Sequence, residues 1–357
     1  MKKLKFISLF ILIFSLCLAV CACHTKKNDN TTNNTEIKTE KQFEVLPTMD
    51  DFSNAKNQVW VGTFQLIWND LIDNIIEHPI KLVNYPSKIA DNLNKRAFST
   101  DDISENAYYK KWGLVSPQLK TEIENGIKEK FNETSDILNN FNWAPAPDKY
   151  ILYAMLKKDF EFLEKFNKLK DDKFNGSIGN VKYFGIDDNT SYKQRHSVRI
   201  LFYNSPQDYA VMLSSKQGDN VYLYRTDDDK TLNEYYKDLN NKTSKNVEYM
   251  GENDKFKAPM LDFKTEREFP ELSDKPIEKS KFIISEAIET IQFKMDEAGV
   301  KLKSEAAMIV EKACIVHEPV KPKLLYFNDK FIIFISENGK KPYFAMKITD
   351  AKSLQKQ

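Results

Sequence analysis

Glycine is scarce in this chain, with ten residues in 357. Neither G-x-G-x-x-G nor G-x-x-x-x-G-K-[ST] occurs, so no loop is built to cradle a phosphate and nucleotide-binding folds are excluded. Cysteine is scarcer still, at four residues, two of them inside the leading apolar segment. The remaining pair, Cys23 and Cys314, supplies neither a disulfide framework nor a cysteine-ligated metal site. No H-E-x-x-H pattern occurs, and His78, His196 and His317 are too scattered to form a zinc site, so no metal or other cofactor is expected. Charge of one sign is lacking too. The 53 Lys+Arg balance 52 Asp+Glu to a formal net charge of +1, without the basic excess that nucleic-acid binding needs. Aromatic residues are abundant instead: 24 Phe, 16 Tyr and four Trp give the chain enough apolar area to offset the entropy of ordering, so general disorder is excluded. Core packing accounts for Trp60, Trp68, Trp112 and Trp143 as well as a ligand groove would.

The first residues read as an export signal. Lys2, Lys3 and Lys5 precede an apolar run from Phe6 to Ala22, too short for a secure bilayer span. Its end, Leu18-Ala19-Val20-Cys21-Ala22-Cys23, resembles the bacterial lipobox, in which the cysteine thiol is lipidated and becomes the new N-terminus. Cys23, preceded by the small Ala22, fits better than the alternative Cys21, which follows the β-branched Val20. The expected organisation is a signal peptide over 1–22, a flexible tether over 23–42 rich in Lys, Asn, Thr and Glu, and a single folded domain over 43–357. Removal of three lysines and no acid leaves 50 basic and 52 acidic residues, a formal charge of −2. The mature protein is expected to be exported and lipid-anchored to the outer face of the bacterial cell membrane.

Within the folded part, helical patterning leads and strand patterning follows. Apolar residues at Phe64, Ile67, Trp68, Leu71, Ile72, Ile75 and Ile76 form a helical stripe. A second amphipathic helix is expected over Thr121 to Asn140, with Ile123, Ile127, Phe131 and Leu138 on its apolar face. Tyr150 to Leu156 is an apolar run suited to a buried strand. Beyond Asn175 come short β-rich segments, Val198 to Tyr203, Tyr209 to Leu213 and Val221 to Tyr224, interrupted by one helix that a Thr231/Glu234 capping box opens. Lys330 to Ser336 and Pro342 to Ile348 are strands joined by Glu337-Asn338-Gly339-Lys340, a hairpin signal. Helices first and strands later, without a βαβ rhythm, make the class α+β.

The C-terminal region carries a resemblance. Ile291 to Gly299 ends in Asp296-Glu297-Ala298-Gly299, and Ser304-Glu305-Ala306-Ala307-Met308 follows. Pro319 to Pro322 then lead into Phe331 to Ile335 and Pro342 to Ile348. In order and spacing this is similar to the serpin family: a strand ending in an acidic-Glu-x-Gly turn, a Glu-Ala-Ala hinge, an exposed reactive loop and a closing hairpin. Ala258 to Phe263 is similar to the family's strand that precedes a variable helix, and Tyr150 to Phe166 looks like its central strand and aromatic-rich turn. The resemblance implies N-terminal helices packed on a large mixed β-sheet, a C-terminal β-hairpin and an exposed reactive-type loop. It implies a hinge at Glu297, Gly299, Ser304, Glu305, Ala306 and Ala307, and a scissile region near His317, Glu318 and Pro319, with Lys312 and Lys321 as neighbouring alternatives.

A serpin-type loop works by inserting into the sheet as a new strand after cleavage, so alternate residues must tolerate burial. Counted from Ser304, the inward set is Ser304, Ala306, Met308 and Val310, all uncharged. Counted from Gly299, Lys301 and Lys303 enter the stretch, and burying either unpaired costs several kcal/mol. Cys314 and His317, three positions apart, have no orienting third group for nucleophilic catalysis, and no enzyme is expected. The expected role is inhibition of an extracellular serine or cysteine peptidase by a monomeric surface lipoprotein. The alternative is a non-inhibitory protein of the same fold that serves as a binding or adhesion module.

Overall fold

The computed structural model describes residues 41–302 and 322–356. Strands β1 (Phe43–Val45) and β2 (Asn57–Val61) pair in parallel. Helix α1 (Thr63–Leu71) follows and continues through a π turn to Ile76, ending where Glu77 adopts the left-handed conformation at φ 62°. Its expected stripe is the face that packs, with Phe64, Trp68, Ile72 and Ile76 in the main core. After α2 (Lys88–Leu93) and β3 (Tyr108–Leu114) comes α3 (Pro117–Phe131). This is the second amphipathic helix, but it starts four residues before Thr121 and stops at Phe131 rather than Asn140. Ser116 caps it from outside, accepting from the Leu119 amide at 3.1 Å, Pro117 fits the first turn, and Asn132 ends it at φ 52°. Leu138 belongs to a separate short turn.

The remaining chain is mostly strand. β4 (Tyr150–Leu156), β5 (Lys158–Glu161), β6 (Asn167–Lys173) and β7 (Asn180–Ile186) precede α4 (Tyr192–His196). Then come β8 (Val198–Ser205), β9 (Asp208–Ser214), β10 (Asp219–Arg225) and α5 (Leu232–Lys242), the last opened by the Thr231/Glu234 capping box. β11 (Glu248–Tyr249), β12 (Lys255–Pro259) and β13 (Leu261–Glu268) follow. Between β13 and β16 the described residues form no helix: turns and the short strands β14 (Lys275–Pro276) and β15 (Ile283–Ile284) follow the strand that resembles the one before the family's variable helix. β16 (Ile288–Met295), β17 (Gly299–Leu302), β18 (Leu324–Tyr326), β19 (Phe331–Glu337) and β20 (Pro342–Ile348) complete the fold.

These strands form three main layers. A mixed eight-stranded sheet runs β1-β2-β20-β19-β10-β9-β8-β11, and a four-stranded sheet runs β18-β12-β7-β6. The third layer has two parts, β13-β16-β17-β5 and β3-β4, joined because β4 passes into β5 across Lys157 alone. Strands β19 and β20 are buried at every residue, as expected of apolar runs covered on both faces. Phe293 of β16 stacks on Phe344 of β20 with ring centroids 4.5 Å apart, which docks the third layer onto the first. The outer face of β3-β4 carries a second, smaller core, where Leu119, Ile123, Ile127 and Phe131 of α3 meet Tyr153.

Candidate functional site: a slotted sheet

The chain β4–β5 changes partner along its length. β4 pairs with β3 from Tyr108↔Leu156 to Leu114↔Tyr150, whereas β5 pairs on its other edge with β17, from Gly299↔Glu161 to Leu302↔Lys158. β16 pairs with β13 throughout, from Leu261↔Met295 to Glu268↔Ile288, but meets β17 only at Lys294↔Lys301 and Met295↔Val300. Beyond Leu302, therefore, β4 and β16 flank a cleft that no described strand fills. Its volume is about 1330 Å³, and Ala154, Leu156, Glu289, Ile291, Phe293 and Leu302 are among its lining residues.

The turn that starts β17 accounts for two residues singled out from sequence. Asp296 accepts from the Ala298 amide at 2.9 Å and closes the turn. Glu297 is buried, with Lys165 and Lys168 3.5 and 3.4 Å from its carboxylate, and its carbonyl takes the Phe166 amide at 2.9 Å. Gly299 has to be glycine for contact rather than for backbone freedom, because a Cβ there would overlap the Phe160 carbonyl of β5. From Gly299 onward the side chains alternate. Val300 and Leu302 are buried, while Lys301 is exposed, 4.0 Å from Asp159. The strand thus begins at Gly299 rather than Ser304, and Lys301 does not suffer the burial expected from that count, since it lies on the solvated face. Ser304, Glu305, Ala306, Ala307, Lys312, Cys314, His317, Glu318, Pro319 and Lys321 lie outside the described residues, as do Cys21 and Cys23.

Each lip of the cleft is anchored by a buried ionisable group that sequence reasoning passed over. On β5, Lys158 reaches Asp219 of β10 at 2.8 Å and Glu337 of β19 at 2.6 Å. Glu337 also accepts from the Ser104 amide and hydroxyl at 3.0 and 2.6 Å, and Tyr343 donates to Asp219 at 3.0 Å. Burial works against the charge of Glu337, but Lys158 and the Ser104 bonds overcome it and hold the carboxyl at about 2. For Asp219 burial wins, and its pKa is raised despite Lys158 and Tyr343. On β16, Glu289 accepts from the Thr63 hydroxyl at 2.6 Å, at the first turn of α1. The signal for both was phase: Glu289 alternates with Ile291, Phe293 and Met295, and Lys158 with Phe160 and Phe162, so each occupies an inward position in its strand.

The segment after α3 ties the two lips together. Lys157, between β4 and β5, donates to the Phe131 carbonyl at 3.0 Å and to Glu133 at 2.9 Å. Three residues on, Asp136 accepts from Gln292 of β16 at 2.5 Å and pairs with Lys264 of β13 at 3.1 Å. At the far end of the cleft, Tyr150 of β4 meets Phe282 edge-on at 5.8 Å.

No protein-family model matches the chain, and no curated protein matches it in sequence. Solved structures do. The chain is similar to an Arabidopsis serpin in its native stressed conformation, at TM-score 0.50 and 13% identity over 85% of this chain and 93% of that one. It is also similar to a thermophilic serpin in its native state, at TM-score 0.48 and 12% identity over 84% and 90%. A specific serpin of the insect Tenebrio molitor gives TM-score 0.44 and 13% identity over 80% and 95%. The fold of this chain is the serpin fold.

Proposed function

We propose that this serpin-fold chain inhibits an extracellular peptidase of the serine or cysteine class, displayed as a lipoprotein anchored through Cys23 and acting through a loop that inserts into the slotted sheet once cut. One observation carries the reading: β17 is seated between β5 and β16, and the cleft continues directly below it. Extending its two registers one residue at a time would set Ser304 between Leu156 and Ile291, Ala306 between Ala154 and Glu289, and Met308 between Leu152 and Ala287. The inward residues of that strand would be Val300, Leu302, Ser304, Ala306, Met308 and Val310, without one charge. Lys301, Lys303 and Glu305 would fall on the solvated face, and Ala307 and Ile309 on the part of that face where Tyr153 and Ile151 pack against α3. The chemistry of the loop sequence therefore matches the slot position by position.

The test is to incubate the protein with serine and cysteine peptidases, and to melt the form cut near His317. A complex that survives SDS and a sharply raised Tm are expected, because the new strand adds two ladders of backbone hydrogen bonds and fills the cleft. Ala306→Arg should abolish trapping, since a long guanidinium side chain would have to fit where a methyl group lies against the packed interior. Clean cleavage without an adduct and with an unchanged Tm would overturn the inhibitor reading. Trapping by the Ala306→Arg variant would overturn the register.

A further inference from the structure

Glu289 stands where an apolar side chain would serve packing better. It is 5% exposed and lies in the inward phase of β16, on the lip of the cleft. Helix α1 has Gly62 at its N-cap and no capping side chain of its own. Glu289 takes that place from the neighbouring layer, accepting from the Thr63 hydroxyl at 2.6 Å and from the Phe64 amide. Its other oxygen, Oε2, is buried and has no hydrogen-bond partner among the described residues.

The charged surroundings are sparse. Across the ladder, Arg267 of β13 is the register partner of Glu289, but its guanidinium is held by Glu44 at 3.0 Å, by Glu271 at 2.5 Å and by the Val45 carbonyl. Asp70, the one acid of α1, faces Lys110 at 2.6 Å. Lys294 of β16 is turned to Asp296, and the β4 residues of the same inward phase, Ala154 and Leu156, carry no charge. An ionised Glu289 would thus leave one oxygen of a buried carboxylate unsolvated and unpaired, which a closed lip cannot sustain.

We propose that Glu289 is the positioning residue that pins the β16 lip to the first turn of α1 while its carboxyl is protonated, and that ionisation draws water to the free oxygen and loosens the lip. The pin rests on the slot reading only for its consequence, which is that the width of the slot follows pH. The pin itself belongs to the intact protein. Burial is the dominant influence on this acid, outweighing Thr63, the Phe64 amide and Arg267, and it pushes the pKa from 4.5 up to about 8.

The sign follows from proton binding. An acid whose pKa rises on folding keeps its proton in the native state after the unfolded chain has lost it. Its contribution to stability is full below about pH 4.5 and is lost as pH rises to about 8. Glu289→Gln keeps the shape and a neutral group and removes the titration. In urea unfolding of the uncleaved protein, the ratio of wild-type to variant folding constants should fall up to about tenfold per pH unit between about pH 5.5 and 7.5. In hydrogen exchange on wild type, corrected for the intrinsic rate, the amides of Phe64 and of residues 288–293 should lose protection near pH 8 while those of β19 keep theirs. The exchange measurement stands even if the glutamine variant fails to fold. Parallel unfolding profiles for the two proteins, or uniform protection across the two strands, would overturn the pin. Neither measurement involves a peptidase, so failure of the inhibitor reading and failure of this one are told apart.

Discussion

Two neighbouring layers of this molecule treat their strands differently. β19 is buried at every residue and laddered on both edges, to β10 from Asp219↔Glu337 to Arg225↔Phe331, and to β20 from Phe331↔Ile348 to Ser336↔Pro342. β16 is laddered fully on one edge and at two positions on the other. The interior of the first layer can accept no further strand, whereas the second has a cleft between β4 and β16. Both are held to the same core, through the Phe293–Phe344 stack and through Lys158, which crosses from β5 to β10 and β19. The lesson is that a sheet can keep a gap only if its lips are fastened to something that does not move, and here the filled sheet is that support.

The strongest way to break the contrast is to cut the fastening. Lys158→Met would leave Asp219 buried without its cation and Glu337 with only the partly exposed Lys340 at 3.2 Å, and should cost about 3–5 kcal/mol, seen as a lower urea midpoint. Folding holds Glu337 near 2 rather than 4.5, so its contribution is present above about pH 4.5 and drains as pH falls towards 2. Wild-type and variant stabilities should therefore converge in acid. A loss below about 1 kcal/mol would show that the triad does not hold the β5 lip.

Gly299→Val should come next, at about 1–3 kcal/mol, because the new side chain meets the β5 backbone. Amide exchange should quicken over residues 158–161 and stay unchanged over 331–337. Equal acceleration in both would mean that the two layers do not respond separately. Asp136→Ala should have the smallest effect on stability, under about 1 kcal/mol, since Asp136 is exposed. It should nevertheless speed exchange in residues 288–293 by releasing Gln292 and Lys264 from the strap. Unchanged exchange there would remove the strap from any account of how the cleft stays as it is.

The closing hairpin was legible because its signals are local: two apolar runs and an Asn-Gly turn, with Gly339 at φ 74°. The stripe of α1 and the capping box of α5 were legible for the same reason. α3 was displaced because Ser116-Pro117 was passed over as a start signal, and because Leu138 continues the apolar period by coincidence after Asn132 has ended the helix. The turns and short strands after β13 were not legible, because the resemblance there covered only the strand and no periodicity follows it. Of the candidate site, Glu297 and Gly299 could be picked out by their pattern, yet the reason for Gly299 is its contact with the Phe160 carbonyl. Lys158 and Glu289 were hidden because charged residues in apolar phase have meaning only once their partners, 61 to 226 positions away, are known. Those partners are Asp219, Glu337 and Thr63. A gap between strands leaves no mark in the sequence of either one.

The position of β20 bears on how such a chain reaches this shape. It lies between β2 and β19, and Asn57, the first residue of β2, receives the amides of Thr349 and Asp350 at 3.0 and 3.1 Å across 292 and 293 residues. A polypeptide emerging amino end first cannot close that clasp until residue 350 is out. Up to that moment β2 has only β1 beside it, and β19 shows an apolar flank to its surroundings. Contacts of such separation form late and slowly. Under the proposed export, the delay would be useful, because it would keep the polymer pliable until the last stretch has passed.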